Sequence, residues 1–224
     1  MISPALRVAR SPQLYNPVPD GCVLYLPLWH PELSGTVFNS VDDFRHTPTV
    51  TGTTWGATGR TFDGTTDIIT VPDSNSLDLT TGCSIGMWIK LLDTPAQYDE
   101  LLIKGIDKYE INFPSAPGSL VPRFYLTCAD GAVLRDGVGL SLNTWYHLVA
   151  TYDAVAGAKV YTNTASSSTT AQKGNITTDN TSLSIGGSAS RKLPAIFGEI
   201  WLYNRALTAA EVLHSYNTTN WRYQ

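Results

Sequence analysis

The stretch "CSIGMWIKLL" (residues 83–92) sets Cys83, Ile85, Met87 and Ile89 on one side of an extended chain and Ser84, Gly86, Trp88 and Lys90 on the other. Side chains of a strand alternate between two faces, so this period of two reads as a strand whose first set is core. The same period recurs outward in both directions. "VLYLPLW" (23–29), "DIITV" (67–71), "ELLIKG" (100–105), "YEINF" (109–113), "RFYLTC" (123–128), "TWYHLVATYD" (144–153), "AKVYTN" (158–163), "SLSIGG" (182–187) and "GEIWLYN" (198–204) are rich in β-branched and aromatic residues and are bounded by Gly, Pro, Asp or Asn. Helical periodicity is nearly absent. Short strands between turn signals predict an all-β fold, an antiparallel sandwich.

The end of the chain breaks the pattern. In "GEIWLYNRALTAAEV" (198–212) a strand runs into Leu207, Thr208, Glu211 and Val212, spaced as a hydrophobic staple around a capping box. A short C-terminal helix over about 208–216 follows. Too short to be stable alone, it must lay Val212, Leu213 and Tyr216 on the sandwich, as a lid plugging one end. Glu199 reads as a strand-end carboxylate that accepts backbone or hydroxyl hydrogen bonds.

With 224 residues, 42% of them hydrophobic and 15% charged, the chain can bury a sizeable core as one domain, expected over residues 21–224. Residues 1–20 carry Pro4, Pro12, Pro17 and Pro19, which deny helix and ladder alike, so this segment is expected to be an extended arm. Its apolar side chains suit a surface better than water: Leu6, Val8, Leu14 and Tyr15 are expected to anchor it on another subunit or a partner protein, with Arg7 and Arg10 reaching acidic groups, the alternative being that it folds back along its own sandwich. A net charge of -4 offers no basic surplus for nucleic acid, and no apolar run is long enough to span a bilayer. The first residues do not read as a signal peptide. Cys22, Cys83 and Cys128 are widely spaced, which argues against zinc, and Cys83 and Cys128 read as small buried hydrophobes. Sequons at Asn175, Asn180 and Asn217 read as chance in a Thr-rich chain.

Taken in order, "TFDGTTDIITVPDSNSLDLTTGCSIGMWIK" (61–90), "LLIKG", "TWYHLVATYD", "LSIGG" and "GEIWLYNRALTAAEV" resemble the laminin-G-like jelly rolls of the concanavalin A-like lectin and glucanase superfamily over about residues 21–216. The resemblance implies two curved sheets and, in many relatives, a calcium ion or a glycan site. Calcium ligands carried over from it are Asp42 in "NSVDDFRH" (39–46), Asp63 in "FDGTTD" and Glu199. Departures count against the ion: Asn39 stands where relatives have Asp, and Trp201 takes a usual acidic position. Asp107 matches a pentraxin-like calcium loop whose partner loop, "GGSASRKLP" (186–194), has no carboxylate. In "DGTTD" the plainer reading is a turn in which Asp63 satisfies its own backbone.

Related glucanases look like Glu-x-Asp-x-x-Glu on one strand, whereas Glu199 is followed on its face by Trp201 and Tyr203. No nucleophile elbow or nucleotide fingerprint is present, so no catalytic residue is expected. The expected function is non-catalytic binding, lectin-like recognition of a glycan or attachment on an outer surface. Of the tryptophans that could stack on a sugar, Trp29, Trp55, Trp88, Trp201 and Trp221, most read as core, Trp88 like Trp145 as packed, and Trp55 and Trp221 are the ones expected to be exposed. The competing expectation is a structural subunit of a particle or surface assembly, such as a virion decoration or fibre protein, whose arm docks on a partner, with homo-oligomers in view. Either reading places the protein at an extracellular surface or on a virion.

Overall fold

The structure, a computed structural model, describes residues 16–114, 118–188 and 191–224. Among the described residues are fifteen strands: β1 (Cys22–Pro27), β2 (Thr49–Thr51), β3 (Thr54–Gly56), β4 (Gly59–Asp63), β5 (Ile68–Val71), β6 (Gly82–Leu91), β7 (Asp99–Lys104), β8 (Tyr109–Phe113), β9 (Arg123–Cys128), β10 (Gly131–Asp136), β11 (Trp145–Asp153), β12 (Gly157–Thr162), β13 (Ala165–Ser166), β14 (Leu183–Ile185) and β15 (Pro194–Tyr203). Helix α1 (Ala209–Thr219) and a 3-10 turn at Asn220–Arg222 follow. The strands form two antiparallel sheets. One has eight strands in the order β13-β12-β11-β6-β15-β4-β3, with β1 also on β15, and the other seven in the order β10-β9-β8-β7-β14-β5-β2.

All ten expected strands are present. Four of the five others, β2, β3, β10 and β13, sit at sheet edges, and β4 is next to one. Edge strands have one neighbour and little buried surface, so they carry a weaker apolar alternation.

The main core fills the space between the sheets. Cys83, Ile85, Met87 and Ile89 are wholly buried there with Ile200, Leu202, Tyr109, Ile111, Phe124 and Leu126. Cys83 and Cys128 are buried free thiols. The opposite face of the eight-stranded sheet is also buried, which the sequence reading did not anticipate. Tyr25, Trp88, Val149, Trp201 and Tyr203 form a second apolar layer with Val18, Leu207, Val212 and Tyr223. The C-terminal segment therefore does not plug an end of the sandwich but roofs the outer face of this sheet. Of the helix residues expected on the sandwich, Val212 is buried and Tyr216 stacks on Trp88 at 5.7 Å, but Leu213 points to solvent. The capping box is as expected, Thr208 accepting from the Glu211 N–H while Glu211 accepts from the Thr208 N–H. Tyr223 lies on Trp88 at 4.5 Å and against Trp145 at 4.7 Å between ring centroids.

Glu199 is not at a strand end. It lies within β15, next to an irregularity in the pairing with β6 between Phe197 and Ile200. Its neighbour Gly198 admits the Tyr223 ring so closely that a Cβ there would meet it at 2.4 Å. Glu199 is wholly enclosed, accepts from the Tyr25 hydroxyl at 3.1 Å and the Tyr223 hydroxyl at 3.2 Å, and is ion-paired with Arg222. Burial pushes its carboxyl above the usual range, and the Arg222 guanidinium pulls it back.

Removing one partner of an enclosed ion pair strands the other charge. Arg222→Ala is expected to cost roughly 3–5 kcal/mol in urea unfolding, and adding Glu199→Gln should restore part of that loss. An Arg222→Ala midpoint equal to wild type would show that the pair does not clamp the roof.

Candidate functional site: a groove on the seven-stranded sheet

With one sheet roofed, the open face belongs to the other. On β8 the alternation sends Tyr109, Ile111 and Phe113 into the core, so Glu110 and Asn112 point outward; on β9, Phe124 and Leu126 go in while Arg123 and Tyr125 go out. Register then builds two cross-strand rows. One runs Ile103, Glu110, Tyr125, Leu134, and the other Glu100, Asn112, Arg123, Asp136.

These rows floor a groove of about 290 Å³ lined by Tyr98, Asp107, Glu110, Asn112, Pro114, Arg123, Tyr125, Leu134 and Arg191. Arg123 is forked onto Asp136 at 2.6 and 3.0 Å. Arg191 reaches Glu100 Oε1 at 3.1 Å, and its guanidinium lies 5.7 Å from the centre of the Tyr98 ring. Glu100 is wholly buried, its other oxygen accepting from the backbone N–H and hydroxyl of Ser188 at 2.9 and 2.6 Å. Asn112 donates to Glu110 Oε1 at 2.5 Å.

Two features mark the groove as more than surface relief. Glu110 Oε2 and Asn112 Oδ1 are enclosed yet have no hydrogen-bond partner among the described residues, and such groups call for an explanation. At the rim, Tyr98 holds φ at 68° and Asp107 at 59°. A left-handed backbone is tolerated by Asp but strained for a bulky Tyr, and strain of this kind collects at ligand sites.

The residues singled out in the sequence lie elsewhere and are not gathered into one site. Trp55 is half-buried on edge strand β3. Trp221 is 59% exposed after α1, donating to the Thr218 carbonyl with the Arg222 guanidinium 4.6 Å from its ring centre. Neither lines the groove. Asp42 accepts from the N–H groups of Tyr25, Phe44 and Arg45. Asp63 accepts from the Thr65 hydroxyl and from the N–H groups of Thr65, Thr66 and Asp67, which together hold its carboxyl well below the usual range, so its turn reading stands. With Glu199 paired to Arg222, the three carry separate local duties. Among the described residues no group of three or more His, Cys, Asp or Glu is placed to hold a metal. The arm residues Leu6, Arg7, Val8, Arg10, Leu14 and Tyr15 lie outside the described residues.

Sequence reasoning missed Glu110, Asn112, Tyr98, Tyr125 and Arg191. The one available signal was polar residues at alternate positions of buried-looking strands: Glu110 and Asn112 in "YEINF", Arg123 and Tyr125 in "RFYLTC".

A family model described as the concanavalin A-like lectin/glucanases superfamily matches residues 63–213. No curated protein sequence matches the chain. Among solved structures, a Trypanosoma rangeli sialidase in complex with sialic acid superposes with a TM-score of 0.67 at 16% identity, over 90% of this chain and 33% of that one. The binding domain of botulinum neurotoxin DC in complex with SialylT gives 0.71 at 11%, over 89% and 52%. The binding domain of Paraclostridial Mosquitocidal Protein 1 gives 0.66 at 15%, over 89% and 52%. This chain thus spans between a third and about half of those structures, and the likeness is one of fold.

Burial, and after it the nearby Glu100 carboxylate, raise the Glu110 carboxyl from 4.5 to about 7. The folded protein then keeps a proton that the unfolded chain has released, so the stability tied to Glu110 is fullest below pH 4.5 and is lost as the pH rises to about 7. Glu110→Gln is expected to melt like wild type at pH 4.5 and to be more stable at pH 8, by about 1–3 kcal/mol. Thermal melts at both pH values check this, and an equal difference at each would refute it.

Proposed function

The chain belongs to the concanavalin A-like lectin/glucanases superfamily, and on that premise we propose that it is a glycan-recognition domain, binding without cleaving, whose site is the groove on the seven-stranded sheet. The observation that carries this is the pairing of aromatic and unsatisfied polar groups in one concavity. Tyr98 and Tyr125 offer ring faces, and Glu110 Oε2 and Asn112 Oδ1 offer acceptors with nothing to accept. A pyranose is recognised by that division, its C–H face on an aromatic plane and its hydroxyls on fixed polar atoms. The groove's volume is near the lower end of the usual range for ligand pockets, about 300–1,000 Å³, which suits one sugar unit.

Binding without turnover is favoured by how the carboxyls are used. Most glycoside hydrolases place two carboxyl groups at the scissile bond. Of the carboxyls at the groove, Glu110 has an oxygen without a partner and Asp107 sits at the rim, while Glu100 is enclosed and its oxygens are committed to Ser188 and Arg191. The structural neighbours, a sialidase in complex with sialic acid and toxin binding domains, are in keeping with a role in attachment to glycans at an outer surface.

A glycan array followed by calorimetry tests the reading. Tyr125→Ala is expected to weaken binding about tenfold, the loss of roughly 1.4 kcal/mol, while Trp55→Ala and Trp221→Ala bind like wild type, and aryl glycosides of bound sugars are not hydrolysed. No binder at millimolar sugar, or a loss confined to Trp221→Ala, would sink it.

A further inference from the structure

The groove's unpartnered polar atoms fix the chemistry of what can enter. Glu110 and Asn112 are only 3% and 4% exposed, and the atoms they leave over, Oε2 and Oδ1, are both oxygens. The orientation of Asn112 is set by its own bond, because its amide nitrogen must face Glu110 Oε1, which leaves Oδ1 turned from it. Once Glu110 is ionised, both unpartnered atoms are acceptors. Both cations at the groove are ion-paired, Arg123 forked onto Asp136 and Arg191 through Nη1 to Glu100. Around the cavity four carboxylates, Asp107, Glu110, Glu100 and Asp136, stand against two guanidinium groups.

Resting on the glycan-binding reading, the geometry points to a ligand class: a sugar unit without an acidic group, held through two adjacent donors that meet Glu110 Oε2 and Asn112 Oδ1, with sugar acids turned away. A hydroxyl or ammonium pair on neighbouring carbons satisfies both acceptors at once. A carboxylate brought to the same place would set acceptor against acceptor in a poorly solvated floor, a repulsive element of the kind that gives a site its selectivity.

Calorimetry at pH 8, above the Glu110 titration, separates the cases. The probes are methyl β-D-glucopyranoside, methyl β-D-galactopyranoside, methyl α-D-mannopyranoside and methyl β-D-glucosaminide against methyl β-D-glucuronide and N-acetylneuraminic acid. At least one of the first four is expected to bind, and both acids to bind it more weakly by about tenfold or more. Glu110→Gln, which keeps the shape and removes the charge, is expected to bring that ratio down by about tenfold. An acid that binds as well as the non-acidic sugars overturns this inference and leaves glycan recognition standing. A ratio unchanged in a folded Glu110→Gln protein overturns it too, by removing Glu110 as the selecting group. Silence from every sugar overturns both readings.

Discussion

Strands β6, β11 and β15 are apolar on both sides, and a sheet with two apolar faces has to be covered twice. One face is met by the second sheet, where Ile85, Met87, Ile200 and Leu202 pack. The other exposes Tyr25, Trp88, Val149, Trp201 and Tyr203, a patch far too large to leave in water. The chain answers with its own C-terminus. Helix α1 and the turn after it cannot hold themselves in place by helical propensity, since eleven residues are marginal in isolation. They are held by aromatic stacking on Trp88 and by the ion pair that Arg222 makes with Glu199 beneath them.

That covering decides where a ligand can bind. The roof closes the outer face of the eight-stranded sheet, so its tryptophans and its one enclosed carboxylate serve packing. The outer face of the seven-stranded sheet carries polar side chains, of which Glu100, Glu110 and Asn112 on β7 and β8 are themselves buried, and four neighbouring strands bring Glu100, Glu110, Asn112, Arg123, Tyr125 and Leu134 side by side. Loops ahead of β7 and β8 add Asp107 and Tyr98, the latter in a strained left-handed conformation that a structure keeps only where its surroundings over-determine it.

A sandwich of this kind is shared at 11–16% identity with a sialidase and with toxin binding domains, so the architecture alone leaves the chemistry open. What distinguishes this chain is the state of its carboxyl groups. Among its enclosed glutamates, Glu199 is ion-paired with Arg222, Glu100 is hydrogen-bonded through both oxygens, and Glu110 has an oxygen without a partner among the described residues. One available carboxyl beside an amide oxygen is suited to holding hydroxyl groups.

Much of the fold was legible in the sequence because the signals involved are local. Alternation in "CSIGMWIKLL" marks a strand without reference to any partner, and Thr208 and Glu211 close a capping box within four residues. The same locality explains the misses. Edge strands such as β2 and β13 carry little alternation because little of them is buried. That α1 roofs a face and does not plug an end depended on Trp88 and Trp201 being on the side away from the core, a fact about both faces of a sheet at once. The candidate site was the least legible part. Glu100 and Arg191 are ninety-one positions apart, and Glu110 meets Tyr125 only through the register of β8 on β9. A sequence records which residues alternate; strand order and register decide which of them become neighbours, and those are settled by the packing of the whole chain.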